Sequence, residues 1–159
     1  MTTKIRALLL TGTHMAAIGV GFALGIYLLP IITAPASPSI EVVRSAASTA
    51  SFTGEFRRDL GDSDALHWGE GALFISNEHV AFEGRLAPGP DYRLYLSPRF
   101  VETEAAFEAL KSEMAEVGAV RTFENFMIAV PETIDPADFS AAIVWCEAFG
   151  QFITAAEYK

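Results

Sequence analysis

The sequence predicts a mainly β protein: a β-sandwich or barrel of about seven to eight strands with one inserted helix, preceded by a single N-terminal transmembrane helix. Three observations predict this. Short runs of alternating apolar and polar residues follow residue 52, with turn-forming residues between them. One stretch of helical periodicity interrupts these runs, and a long uncharged apolar run precedes them. The 159 residues thus divide into a cytoplasmic tip with the transmembrane helix (1–32), a linker (33–51) and a β domain (52–159).

The first element is an apolar run that is long enough to cross a membrane. Residues 7–32 carry no charge, and as a helix they would be about 39 Å long, more than the bilayer core of about 30 Å requires. Because Lys4 and Arg6 precede the run and no basic residue follows closely, we expect a cytoplasmic N-terminus and a cell-membrane protein. The β domain would then be extracytoplasmic, and periplasmic in a bacterium.

One alternative to a retained membrane helix, and one further role for such a helix, remain open for this run. The small residues of Ala34-Pro35-Ala36 have the spacing of a signal-peptide cleavage site, although signal peptides carry shorter apolar regions of about 15 residues. Gly21 and Gly25 form a GxxxG motif, which allows two membrane helices to approach closely, so the helix could contact a partner helix. Glycine is also frequent in membrane helices that make no such contact.

Residues 33–51 have the composition of a linker. Proline, serine and alanine dominate its first half, and small polar residues return in its second half. Between them, Ile40, Val42 and Val43 could pack briefly against the domain. A linker of this kind holds a folded domain away from the membrane surface.

The β domain contains seven runs that predict strands. Each is short, rich in branched or aromatic residues, and bounded by turn-forming residues. They cover residues 52–56, 71–75, 80–82, 92–96, 126–130, 142–149 and 152–156. The run at 142–149 is apolar on both sides of its single cysteine, Cys146, which indicates a strand covered on both faces. Its alternation places Val144 and Cys146 on one face, and Ile143 and Trp145 on the other.

One stretch has helical rather than strand periodicity. Between residues 102 and 117, the apolar residues Phe107, Leu110, Met114 and Val117 recur at the spacing of one helix face. Gly118 follows and is a common helix stop. We therefore expect one amphipathic helix over 102–117, inserted between strands.

The charge distribution excludes one class of partner. The formal net charge is −9, and because Lys4 and Arg6 carry the only charges before Glu41, the rest of the chain has a net charge of −11. Such a domain would be repelled by phosphate backbones, so we expect no nucleic-acid binding.

The order of several short motifs resembles the DM13 domain family, also called electron-transfer DM13. The motifs are Thr53-Gly54-Glu55-Phe56, His67-Trp68-Gly69-Glu70-Gly71, the run from Gly89 to Ser97, Val130-Pro131, and Ile143-Val144-Trp145-Cys146 with Phe149 and the run from Phe152 to Ala156. The resemblance covers residues 53–158. It implies a β-sandwich or barrel and a role in electron transfer, centred on the cysteine that corresponds to Cys146.

Cys146 has several possible roles. As the only cysteine it cannot form an intramolecular disulfide, so it could ligate a metal or haem, pair with a thiol of a redox partner protein, or be buried and inert. Its apolar neighbours should raise the pKa of the thiol and lower its reactivity. We take Cys146 as the candidate catalytic, redox-active residue, and Cys146 with His67 as candidate cofactor-binding residues.

The cofactor is unknown from sequence, with haem and copper as candidates. His67, His79, Cys146 and a methionine would suit copper, but no histidine or methionine follows Cys146 to form the usual copper ligand loop. Haem could be held by His67, Cys146 or a methionine, although there is no C-x-x-C-H motif for covalent attachment. We predict no dedicated metal site.

Two functions of different class remain open. The chain contains none of the common catalytic motifs, GxSxG, HExxH or a phosphate-binding glycine loop, which favours a domain that is not a stand-alone enzyme. The first function is a membrane-tethered extracytoplasmic module associated with redox or electron transfer through Cys146. The alternative is a non-catalytic binding module in which Cys146 only fills the core.

Overall fold

A computed structural model describes residues 2–159. Its first element is a long helix, α1 (Thr3–Thr33), which has no buried residues. By its length and composition α1 could cross a membrane or serve as a signal sequence. The helix contains Pro30 in its last turn, where the missing N–H removes one hydrogen bond close to the end of the helix.

A short helix, α2 (Ile40–Ala47), lies in the segment for which the sequence predicted a linker. Its Val43 is completely buried, and α2 packs against the strands described next. The Arg44 guanidinium forms an ion pair with Glu83 at 3.2 Å, and Asn125 donates a hydrogen bond to the Pro38 carbonyl at 3.4 Å. The brief packing expected at Ile40 to Val43 is therefore a docked helix.

The described residues form two antiparallel four-stranded sheets, which confirms the predicted fold class. The first sheet has the order β1-β2-β3-β6 and the second β5-β4-β7-β8. Their bounds are β1 (Phe52–Phe56), β2 (Gly69–Ile75), β3 (His79–Leu86), β4 (Tyr92–Ser97), β5 (Ala115–Val120), β6 (Phe126–Ala129), β7 (Ala141–Cys146) and β8 (Gln151–Glu157). The two sheets face each other as a sandwich.

The main core lies between the sheets. The first sheet contributes Leu73, Val80 and Phe82, and the second contributes Leu94 and Val144, all with no exposed surface. The edges of the sandwich also meet, because β1 lies beside β8 and β5 lies beside β6. The arrangement is therefore a sandwich that is nearly closed at both edges, as in a barrel.

The inserted helix is shorter than the sequence predicted. The helix α3 (Glu104–Leu110) continues as one 3₁₀ turn (Lys111–Glu113), and residues 115–120 then form β5. The expectation of a helix over 102–117 was thus wrong in its C-terminal part, and it concealed a strand. The cause is tertiary: β5 completes the hydrogen bonding along one side of β4, which outweighs local helix preference.

The cysteine strand is the most buried element of the sandwich. All six residues of β7 are buried, and β7 pairs with β4 on one side and β8 on the other. Val144 and Cys146 face the main core, whereas Ile143 and Trp145 belong to a second apolar cluster beneath α3. This confirms the predicted faces. The strand ends at Cys146, however, and not at residue 149, because the chain turns there into β8.

Candidate functional site

Cys146 lies where β7 ends and the tight turn to β8 begins. The turn is closed by a hydrogen bond from the Gly150 N–H to the Cys146 carbonyl at 2.9 Å, and Gly150 supports it with a left-handed φ of 61°. The Cys146 thiol donates a hydrogen bond to the Pro90 carbonyl at 3.0 Å. With only 2% of its surface exposed, Cys146 is part of the core as well as the end of a strand.

The surroundings of Cys146 keep its thiol protonated. Burial raises the pKa of the Cys146 thiol, and the carboxylates of Asp91 and Glu147 raise it further by disfavouring a second negative charge. The backbone N–H groups of Ala148 and Phe149 lower it, but by less. Because the thiolate is the nucleophilic and metal-binding form, this cysteine is a weak nucleophile at neutral pH.

Cys146 nevertheless lines a pocket. The pocket has a volume of about 490 Å³, which is within the usual range for small-molecule sites. The loop of Pro88, Gly89 and Pro90 forms part of its wall. The structure brings the two candidate residues together here, since His67 lines the same pocket.

His67 is held by one acidic neighbour. Its Nδ1 lies 3.0 Å from Oδ2 of Asp64, while Oδ1 of Asp64 accepts hydrogen bonds from the backbone N–H groups of Leu66 at 2.6 Å and His67 at 2.8 Å. The backbone hydrogen bond from Leu66 and the bond from His67 lower the pKa of the Asp64 carboxyl, so this group is ionised and can only accept. The Nδ1–H of His67 is therefore the donor.

The four-ligand copper set considered from the sequence is not assembled. His79 begins β3 in the other sheet, Met127 lies in β6 of that sheet, and Met114 packs in the cluster beneath α3. Residues 2–159 contain no group of three or more His, Cys, Asp or Glu side chains placed to hold a metal ion. The Cys146 sulfur already donates a hydrogen bond to the Pro90 carbonyl and is nearly inaccessible. Cys146 and His67 therefore do not fit a pair of haem ligands in this arrangement.

Comparison with known families identifies the fold's relatives. A family model described as "Electron transfer DM13" matches residues 51–158, which is all of the sandwich. The chain belongs to the DM13 family. Searches of curated proteins and of solved structures gave no match.

The DM13 domain also contains a polar cluster that the sequence did not predict. On the outer face of the second sheet, the Tyr95 hydroxyl donates to one carboxylate oxygen of Glu147, and Lys111 Nζ lies 2.9 Å from the other. Burial alone would raise the pKa of the Glu147 carboxyl, but the bonds from Tyr95 and Lys111 outweigh it and hold that pKa below its usual range. Lys111 also lies 5.7 Å from the centre of the Trp145 ring.

This cluster connects α3 to the residue that follows Cys146 in the DM13 domain. Phe107 of α3 stacks on Trp145 with ring centres 4.0 Å apart and planes 11° from parallel. The three polar residues come from a strand, a 3₁₀ turn and a hairpin turn. Their separation in sequence left no local motif, and only the position of Glu147 beside the cysteine could have suggested it.

Proposed function

We propose that this chain is a membrane-tethered extracytoplasmic module that takes part in redox chemistry through Cys146. The observation that carries the proposal is the position of the Cys146 thiol, at the wall of a pocket in a domain of an electron-transfer family. The tether is α1, and the charge distribution around it supports a cytoplasmic N-terminus.

The redox partner is proposed to be a protein with an accessible disulfide. The Cys146 sulfur attacks one sulfur of that disulfide, the S–S bond breaks, and a mixed disulfide with Cys146 forms. The second sulfur of the partner leaves as a thiol and takes the proton that Cys146 loses. The chain has no second cysteine, so a mixed disulfide is resolved only by a thiol from elsewhere.

The same geometry explains why this thiol would be selective. Its raised pKa and its hydrogen bond to Pro90 keep it protonated and slow toward general oxidants. A partner has to reach it through the pocket, and contact there can expose the sulfur.

Thiol accessibility in the native full-length chain tests this proposal. We expect a small aromatic disulfide to form a mixed disulfide with Cys146 while circular dichroism remains native, and dithiothreitol to reverse it. Cys146→Val keeps an apolar side chain of strand-forming shape, so it should retain the fold and abolish the adduct. A thiol that reacts only after denaturation, or a Cys146→Val protein with full activity in cells, would contradict the proposal.

A non-catalytic binding module is the second candidate. It is favoured by the burial of Cys146, which is 2% exposed and part of the main core cluster. In this case the pocket binds a ligand, and Cys146 is only one of the residues that line the pocket. Cys146→Val would then retain both the fold and the cellular function.

A further inference from the structure

The pocket beside Cys146 has two kinds of wall. The sandwich side is mostly apolar and includes Leu66, Pro88, Phe149 and Ile153. The opposite side is formed by Ala23, Ile26 and Tyr27 of α1. A ligand in this pocket would therefore lie between the DM13 domain and the helix proposed to anchor it.

The length of α1 indicates where the pocket lies along the membrane normal. A helix of 31 residues is about 46 Å long, whereas the bilayer core uses only about 20 residues. If the crossing begins at Ala7, directly after Arg6, it ends near Ile26. Tyr27 then lies at the interface, where tyrosine is enriched in membrane helices. The pocket opens at that interface.

Two large apolar side chains of the sandwich are exposed at this pocket. Leu66 is 59% exposed and Phe149 is 54% exposed, although both line the pocket. Large apolar side chains that are grouped and open to solvent mark binding or membrane-facing surfaces. Molecules dissolved in the lipid phase could therefore enter between Leu66, Phe149 and α1.

The single histidine of the pocket selects the polar group of such a molecule. Because His67 donates Nδ1–H to Asp64, the Nε2 of the neutral ring carries a lone pair, and within residues 2–159 it has no hydrogen-bond partner. It can accept a hydrogen bond from a hydroxyl. The Asp64 carboxylate and the excess of acidic residues disfavour anions, which excludes fatty-acid carboxylates and acidic phospholipids as the preferred ligands.

The flat side chains of the pocket favour a ring over a simple alkyl alcohol. Tyr92 and Phe149 present aromatic rings, and Pro88 and Pro90 add flat apolar surfaces. We propose that this pocket binds a neutral, lipid-soluble hydroquinone, one ring hydroxyl of which donates a hydrogen bond to Nε2 of His67. The proposal rests on the tether of the proposed function, but it requires no reaction of Cys146.

The test uses the full-length chain in nanodiscs of neutral phosphatidylcholine, with a decyl-substituted benzohydroquinone as the probe under anaerobic conditions. The chain is labelled at its three histidines, and the ring resonances are followed by NMR. We expect a saturable shift of the His67 resonance while that of His79 stays constant. Decanoate, which carries the same chain length with a negative head, should leave the His67 resonance unchanged.

A second readout allows His67 itself to be replaced. Because Cys146 lines the same pocket, bound hydroquinone should slow alkylation of its thiol, and the concentration dependence of this protection gives a Kd. We expect His67→Phe, which keeps a ring but has no acceptor, to raise that Kd about fivefold, the size of one lost hydrogen bond, and Phe149→Ala to raise it by a similar factor. His79→Phe is the matched control and should leave it unchanged.

Three outcomes would overturn the proposal: equal shifts at His67 and His79, which indicate only partition into the bilayer; equal or better binding of decanoate; or an unchanged Kd in His67→Phe. The failure of the redox proposal is recognised separately. Cys146→Val should still show the hydroquinone-dependent shift of His67, whereas mixed-disulfide formation depends on the thiol alone.

Discussion

The Cys146 side chain has a polar partner that its apolar sequence neighbours did not reveal. With apolar neighbours alone, a serine at this position would bury an unpaired hydroxyl and would be worse than alanine. In the structure the Pro90 carbonyl accepts the bond from Sγ at 3.0 Å, and it would be available to a serine hydroxyl as well. The loop of Pro88 to Pro90 is therefore tied to the end of β7 by this residue.

We predict that Cys146→Ala lowers the free energy of unfolding by about 1–2 kcal/mol, because packing is lost and the Pro90 carbonyl loses its donor. Cys146→Ser should lose no more than Cys146→Ala, since it retains a donor. Urea unfolding of the full-length chain followed by circular dichroism measures both. A serine variant clearly less stable than the alanine variant would show that the bond to Pro90 contributes nothing.

The raised pKa of the Cys146 thiol predicts a pH dependence of its chemistry. In the folded chain the rate of alkylation by iodoacetamide should keep rising beyond the pH at which it levels off in the denatured chain, because burial raises the pKa of the Cys146 thiol above its ordinary value. In the denatured chain the thiol ionises near pH 8.5, the ordinary value for cysteine, and the rate should level off about a unit above it. A native rate that levels off by pH 8 would contradict the burial of this group.

The raised pKa of the Cys146 thiol also makes the stability of the folded chain depend on pH. Where the unfolded thiol is ionised and the folded thiol is still protonated, unfolding releases a proton. The contribution of Cys146 to stability is therefore fully present below the unfolded pKa and declines as the pH rises above it. The Cys146→Val variant lacks this contribution and is the control for the other titrating groups.

Residue-scale prediction from the sequence succeeded where it depended on local periodicity. Alternation alone correctly assigned Cys146 to one face of its strand and Trp145 to the other. It could not find the bonds of Glu147 to Tyr95 and Lys111, because these form between segments that are 36 to 52 residues apart. His67 was paired with Cys146 only as a candidate cofactor ligand, without any prediction of their distance, and the pocket brings the two residues together.

At the scale of elements, the inserted helix shows why short apolar patterns are ambiguous. Phe107 and Leu110 are indeed the buried face of α3, and Thr103 caps its first turn by accepting from the Ala106 N–H. Val117 continues the helical spacing in sequence but is buried from a strand. Four apolar residues at helical spacing cannot determine where the helix ends when the next segment also completes a sheet.

We predict that Phe107→Ala costs about 3–5 kcal/mol of stability, because Phe107 is completely buried and stacks on Trp145. In a Trp68→Phe background, the fluorescence of Trp145 should also shift to longer wavelength as water reaches it. Glu108→Ala changes the next residue of α3, which is exposed, and should alter neither property. An unchanged emission in Phe107→Ala would show that α3 does not cover the tryptophan.

The helix α2 predicts where the more stable form of the independent domain begins. A fragment of residues 39–159 should unfold cooperatively with a mainly β circular dichroism spectrum. A fragment of residues 52–159 should fold in the same way but be less stable by roughly 1.5–3 kcal/mol, since it lacks the buried Val43. Equal stability of the two fragments would place α2 outside the folded unit, and a mainly helical spectrum would contradict the fold.

At the scale of the whole molecule, the sequence predicted the architecture better than its details. Seven of the eight strands in the described residues correspond to short alternating runs separated by turns. The strand β5 was missed, and α2 was expected only as brief packing, because both depend on surfaces supplied by distant parts of the chain. The extent of the DM13 match, residues 51–158, agrees with the resemblance found over residues 53–158.

The proposed orientation predicts the outcome of a fusion experiment. Alkaline phosphatase joined after Lys159 should be active, because it requires an oxidising extracytoplasmic compartment, and β-galactosidase at the same place should be inactive. Replacing Lys4 and Arg6 by glutamine removes the basic residues before α1 and should weaken this preference. Activity of the cytoplasmic reporter alone would exclude the tether as proposed.

The contact between β1 and β8 constrains how such a domain could be delivered. Gly54 of β1 lies so close to β8 that an added methyl group would approach the Glu157 carbonyl to 2.8 Å, so the first and last strands of the sandwich are direct neighbours. Until residues 151–157 have emerged from the ribosome and crossed the bilayer, both sheets lack an edge contact. In the proposed orientation the sandwich can therefore close only after its last strand has arrived.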